Sequence, residues 1–102
     1  MYRLEYLPLA KQDIVDIAGY ITIVLNNPSA AENLIEEMIE KADKLIDFPY
    51  INPIHTFIKP LEYEYRKLIV KNYIMFYWVD EAEKKITIAR VIYERRNYGE
   101  ML

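Results

Sequence analysis

The chain has 102 residues, with 53% hydrophobic and 28% charged side chains and no cysteine, so one globular domain is expected and disulfides and thiolate metal sites are excluded. A net charge of −3 and a pI near 5.2 argue against a general nucleic-acid coat. No apolar run approaches the roughly 18 residues of a membrane span, and MYRLEYLPLAKQD lacks a signal-peptide core; a cytoplasmic protein with no membrane partner is expected.

Residues 2–7, YRLEYL, alternate apolar and polar and predict a short strand. Pro8 ends it and suits the first turn of a helix. From Leu9 to Leu25, Ile14, Ile17, Ala18, Ile21 and Leu25 recur at helical spacing, with Asp13, Asp16 and Tyr20 elsewhere on the cylinder. Asn26-Asn27-Pro28 breaks this helix. Ser29 with Glu32 has the form of a capping box. A second helix then runs to about Asp47, with Leu34, Ile35, Met38, Ile39, Ala42, Leu45 and Ile46 on one stripe. The short connection predicts an antiparallel helical hairpin.

Residues 48–60 hold Pro49, Pro53 and Pro60 and predict an irregular crossing. Residues 63–71, 73–80 and 85–94 are rich in β-branched and aromatic side chains and predict three strands. Lys71-Asn72 suits a tight turn, and residues 80–84 a longer charged loop. The order β-α-α-β-β-β gives an α+β fold, with a helical hairpin on one face of a small antiparallel sheet. The other face should then stay partly open. Tyr73, Phe76, Tyr77 and Trp78 are too many to pack beneath two helices, so part of this aromatic surface should await a partner.

Charge divides along the chain. Residues 1–58 carry four Lys/Arg against nine Asp/Glu, and residues 59–102 carry nine against seven. The helical half is therefore acidic and the strand half basic. His55 is the sole histidine, Ser29 the sole serine, and Gly occurs only at 19 and 99. No metal constellation, phosphate-cradling loop or nucleophile elbow is present, so no cofactor is expected. What remains is cations and phenols: Lys59, Arg66, Lys67, Lys71, Arg90, Tyr93, Arg95, Arg96 and Tyr98. Guanidinium forks fit phosphate or carboxylate, and tyrosines stack and donate protons. Lys and Arg on strands also serve as ordinary solubility devices and edge guards.

At this point the chain resembles the RelE/ParE toxin superfamily of bacterial toxin–antitoxin modules. YRLEYLPLAKQDIVDIAGYI is similar to the family's opening strand and first helix, and NNPSAAENLIEEMIEKADKLIDFP to its second helix. YRKLIVKNYIMFYWVDE resembles its central strand pair, and ITIARVIYERRN its last strand. The resemblance implies a small toxin neutralised by a cognate antitoxin. It leaves three readings of the activity: a poison that binds DNA gyrase, a ribosome-dependent endonuclease of messenger RNA, or a degenerate toxin that keeps only antitoxin binding.

Nuclease members of the superfamily use basic residues on the sheet, an arginine directly after the tyrosine of the third strand, and an Arg and Tyr near the end. Here Arg66, Arg95 or Arg96, and Tyr98 match such positions, while Leu68 and Ile74 replace two of the basic ones. In-line attack on a phosphodiester needs a base, an acid and a holder for the developing charge. Isoleucine supplies none of these. The resemblance therefore leans to the gyrase-binding side, with Arg66, Arg90, Tyr93, Arg95 and Arg96 as target-binding residues. On a nuclease reading, Arg66, Arg95, Arg96 and Tyr98 are the catalytic candidates.

Overall fold

The computed structural model describes residues 1–56, 62–96 and 102. A strand β1 (Arg3–Tyr6) leads into helix α1 (Pro8–Gly19), which opens on Pro8 as expected. The helix continues without a break into a π-helical turn, Tyr20–Val24. Helix α2 (Pro28–Asp43) comes next and tightens into a 3-10 turn, Lys44–Ile46. Strands β2 (Arg66–Val70), β3 (Tyr73–Asp80) and β4 (Lys85–Tyr93) complete the fold.

Local chemistry sets each boundary. The cap of α2 is Asn27, not Ser29: its side-chain oxygen accepts the Ala30 N–H at 3.1 Å. Pro28 explains the shift, because its fixed φ and missing N–H make it the first helical residue, and Ser29 then falls inside the first turn. Asn26 ends the hairpin's first arm in the left-handed region, at φ 50°. In the two-residue β2–β3 turn it is Lys71 that takes the left-handed conformation, at φ 53°. The first of the three carboxyl-half strands begins at Arg66 rather than residue 63, after a bridge from Ile54 to Arg66.

The sheet order is β1-β4-β3-β2. Three strands form an antiparallel meander, Arg66 opposite Tyr77 and Tyr73 opposite Tyr93. The expected antiparallel sheet is thus corrected at one edge, where β1 lies parallel to β4, with Arg3 beside Lys85 and Tyr6 beside Ile88. Alternation of side chains encodes which face is buried, not which way the neighbour runs. Two helices on a four-stranded mixed sheet make the fold α+β.

The main core lies between helices and sheet. Ala10, Ile21, Leu34, Met38, Ala42 and Leu45 meet Leu68, Val70, Met75, Tyr77, Ile86 and Ile88, with Ile14 and Ile17 packed at the margin. The opposite face has its own cluster: Tyr65, Ile74, Phe76, Ala89 and Ile92, flanked by Leu7, Trp78 and Leu102. Tyr63 stacks on Trp78 at 3.8 Å, and Tyr65 meets that indole edge-on at 5.8 Å. Phe76 and Tyr77 are fully buried. The aromatic surface expected to await a partner is therefore largely used within the chain. Two apolar residues leave the expected stripes: Ile39 of α2 is exposed, and Leu25 is exposed although Ile21 is buried. The π-helical turn inserts a residue and rotates the rest of the hairpin's first arm by roughly 100°, one residue's step.

Met38 is fully buried at the centre of the helix–sheet contact. Met38→Asp strands an unpaired charge there and is expected to cost several kcal/mol, about 3 or more. Urea unfolding monitored by circular dichroism reads that loss directly.

Candidate functional site

Strand β4 carries a β-bulge. Phe76 pairs with Arg90 and Tyr77 with Ile88, leaving Ala89 as the extra residue. The bulge re-aims Arg90 toward α1. The Asp13 carboxylate accepts from the guanidinium Nε at 2.8 Å and its terminal nitrogen at 3.0 Å, and from the Val91 N–H at 2.9 Å. Arg90 and Asp13 side chains are only 16% and 14% exposed. Arg90, a target-binding candidate, thus has its fork engaged inside the fold. The hydrogen bond to Asp13 raises its pKa further and keeps it charged.

Arg66 lies at one end of the sheet. Its guanidinium donates to the Asn52 carbonyl at 2.7 Å and the Tyr50 carbonyl at 3.4 Å, and sits 5.0 Å from the Tyr50 ring centre. Beside it the Tyr77 hydroxyl donates to the Pro49 carbonyl at 3.0 Å and accepts from the Asn52 amide at 3.3 Å. Together they fasten the Pro-rich segment to the sheet. The same segment is tied from outside. Glu81 accepts from the Tyr2 and Tyr50 hydroxyls, each at 2.5 Å, and from the Lys84 ammonium. Lys84 first, then the two phenols, hold the Glu81 carboxyl down at about 2. The bond to Glu81 in turn pushes the Tyr50 phenol up. His55, the sole histidine, packs edge-on against Phe76 at 5.7 Å, and burial, then Lys67, lowers its pKa.

The opposite end holds the other candidates. Tyr73 and Tyr93 pair across the strands, rings 5.6 Å apart at 62°. Burial raises the Tyr73 pKa, and the phenols of Tyr93 and Tyr20 add to it. Beyond Tyr93 the chain turns back: Glu94 N–H donates to the Asn72 carbonyl and Arg96 N–H to the Tyr93 carbonyl, both at 2.9 Å. Arg95 and Arg96 stand exposed on this turn. Lys71 is also exposed and reaches Glu37 only at 3.9 Å. Lys67 lies on β2, half-buried. Lys59 and Tyr98 fall outside the described residues.

Among the described residues the candidates therefore divide between the two ends of the sheet. Arg66 is level with Tyr77 and Tyr93 with Tyr73, four residues apart along β3, or roughly 13 Å at a strand's rise. Leu68 and Ile74, where nuclease relatives would need cations, are buried in the two apolar clusters. Among the described residues no group of three or more His, Cys, Asp or Glu side chains could hold a metal ion, and no helix is long and apolar enough to cross a membrane. Tyr2, Asp13, Tyr50, Asn52 and Glu81 were not candidates from sequence. Each acts through a partner far along the chain, and no local pattern marks such pairs.

The family of ParE toxins of the type II toxin–antitoxin system parDE matches residues 4–98. The chain belongs to that family, and so to the RelE/ParE type II toxins. Its fold is shared with a protein of the chromosomal ParDE system of P. aeruginosa, at 20% identity and a TM-score of 0.73, over 91% of this chain and 96% of that one. A chain of the archaeal RelE–RelB complex of Pyrococcus horikoshii OT3 aligns at 15% identity and 0.63, over 93% and 97%. The isolated E. coli RelE toxin aligns at 16% and 0.58, over 99% and 95%. No curated protein matches the chain.

These contacts set two expectations for stability. Asp13→Ala removes the carboxylate to which Arg90 and the Val91 N–H donate, and is expected to cost about 3 kcal/mol in chemical denaturation. Glu81 has a folded pKa below its unfolded value, so its contribution is present above the unfolded pKa near 4.5 and disappears as pH falls toward about 2. Glu81→Gln should lower the melting temperature at pH 7 and lose that difference by pH 2. Salt should shrink the effect, because the group is exposed.

Proposed function

We propose that the protein is the growth-inhibiting member of a toxin–antitoxin pair, neutralised by a cognate antitoxin, and that it acts by binding DNA gyrase rather than by cutting messenger RNA. Membership of the ParE family supports the first part. Similar folds described as a ParDE system and a RelE–RelB complex support the antitoxin as partner. Both roles place its action in the cytoplasm.

One observation carries the choice of target. A nuclease must converge a proton acceptor, a proton donor and a charge stabiliser on one phosphodiester, within hydrogen-bond reach. Here Arg66 is spent on the carbonyls of Tyr50 and Asn52, roughly 13 Å along the sheet from Tyr93. The position next to Tyr73 is a buried isoleucine. Arg95 and Arg96 are instead presented to solvent, as contact residues for an acidic protein surface would be. The acidic helical half also suits ribosomal RNA poorly.

Induced expression separates the readings. Inhibition of purified gyrase in a supercoiling assay is expected, with intact transcripts. Arg95→Ala combined with Arg96→Ala should abolish growth inhibition while changing stability by no more than about 0.5 kcal/mol. Codon-phased cleavage of translated messages, lost in Arg66→Ala, would overturn the gyrase reading in favour of the ribosomal nuclease.

A further inference from the structure

One run of exposed apolar side chains lies at the hairpin tip, another at Phe48, Tyr50, Ile51 and Ile54 beside the Arg66 end of the sheet. Within the π-helical turn and the residue after it, Tyr20, Ile23, Val24 and Leu25 are 52%, 80%, 65% and 55% exposed. Single exposed apolar residues are ordinary; four within six positions form a patch. The backbone there is not frayed. Leu25 N–H donates to the Tyr20 carbonyl at 3.2 Å and Asn27 N–H to the Ile21 carbonyl at 3.0 Å, so the wide turn is closed and holds these side chains outward. A π-turn costs hydrogen-bond geometry relative to an α-turn and recurs at functional sites.

The patch lies toward the cationic end of the sheet: Leu7 N–H donates to the Ile88 carbonyl and Asp13 accepts from the Val91 N–H, so α1 advances along β4 toward Tyr93 and delivers the hairpin tip to that end. Tyr20 lies near enough to Tyr73 to affect its phenol, and Tyr73 meets Tyr93 edge-on. Arg95 and Arg96 come next in the exposed turn, and Lys71 stands at the β2–β3 turn. Neither Arg95 nor Arg96 has an ion-pair partner among the described residues. An apolar-aromatic centre with arginines at its edge is the composition of an interface hot spot. The two exposed arginines favour an acidic partner surface.

We propose that the hairpin tip and the end of β4 form one docking surface, with Ile23 and Val24 as apolar anchors, for an acidic surface of the enzyme that the toxin poisons. This extends the target-binding surface beyond Tyr93, Arg95 and Arg96 to a helical element, and it rests on the reading that the protein acts by binding a protein target.

The test is Ile23→Asp combined with Val24→Asp. Both side chains are mostly in solvent, so the fold should survive, and the new carboxylates repel an acidic partner. Ile23→Ser with Val24→Ser serves as the neutral control for folding. Growth arrest, supercoiling inhibition with purified gyrase, and affinity for the co-expressed cognate antitoxin are measured in parallel. The expected result is an affinity for gyrase about 100-fold lower, loss of growth arrest, and unchanged melting temperature and antitoxin binding. Full growth arrest by the Asp variant overturns the proposal. So does a loss confined to antitoxin binding, which hands the patch to the neutralising partner. A wild-type dimer that the Asp variant splits into monomers also overturns it, since the occupant is then a second copy. A wild type that arrests growth with gyrase unaffected sinks only the choice of gyrase; loss of arrest in the variant still supports the docking surface.

Discussion

One carboxylate holds the two layers of this molecule in register. Asp13, midway along α1, accepts two bonds from Arg90 and one from the backbone at Val91. The three donors exist as a set only because the bulge turns Arg90 toward the helices. Strand β4 is the one that both β1 and β3 pair with, so fixing α1 on β4 fixes it on the whole sheet. The position of α1, which runs along β4 from Ile88 past Val91, in turn decides that the π-helical turn emerges toward the Tyr93 end of the sheet. An interaction inside the fold thus composes a surface outside it.

The two ends of the sheet show how neighbours assign roles to the same residue type. Arg66 sits among backbone carbonyls and a tyrosine ring, and becomes a fastener for the Pro-rich segment. Arg95 and Arg96 stand in a turn whose backbone bonds are already made, and keep their donors free for an incoming surface. The Glu81 hub strengthens the first end, where Tyr2, Tyr50 and Lys84 converge on one carboxylate.

Much of this was legible in the sequence. Helical spacing marked Leu34, Met38 and Leu45, and β-branched runs marked the meander, because burial of one face leaves a period. The resemblance of the whole ordered set identified the family. Other features leave no period. Nothing in YRLEYL states that its neighbour runs parallel. Leu25 kept helical spacing in the sequence, but a single inserted residue moved it to the surface. Arg90 looked like its fellow cations, since its partner lies 77 residues away. Sequence could count the aromatic side chains of β3, but could not tell that Tyr65 and Trp78 would help to close the helix-free face.

The parallel pairing of β1 with β4 bears on when this protein becomes dangerous to its maker. Arg3 has its partner at Lys85, and Tyr6 at Ile88. A nascent chain therefore cannot close its sheet until nearly all of it has left the ribosome, and such distant pairings are slow to form. The helical hairpin can assemble early, but Asp13 then waits for Arg90 and the tip patch has no sheet end to join. A fragment that stops before β4 lacks Tyr93, Arg95 and Arg96 and cannot finish the cationic end. Synthesis itself thus withholds the proposed docking surface until the last strand is made, an interval in which an antitoxin could meet an unfinished chain.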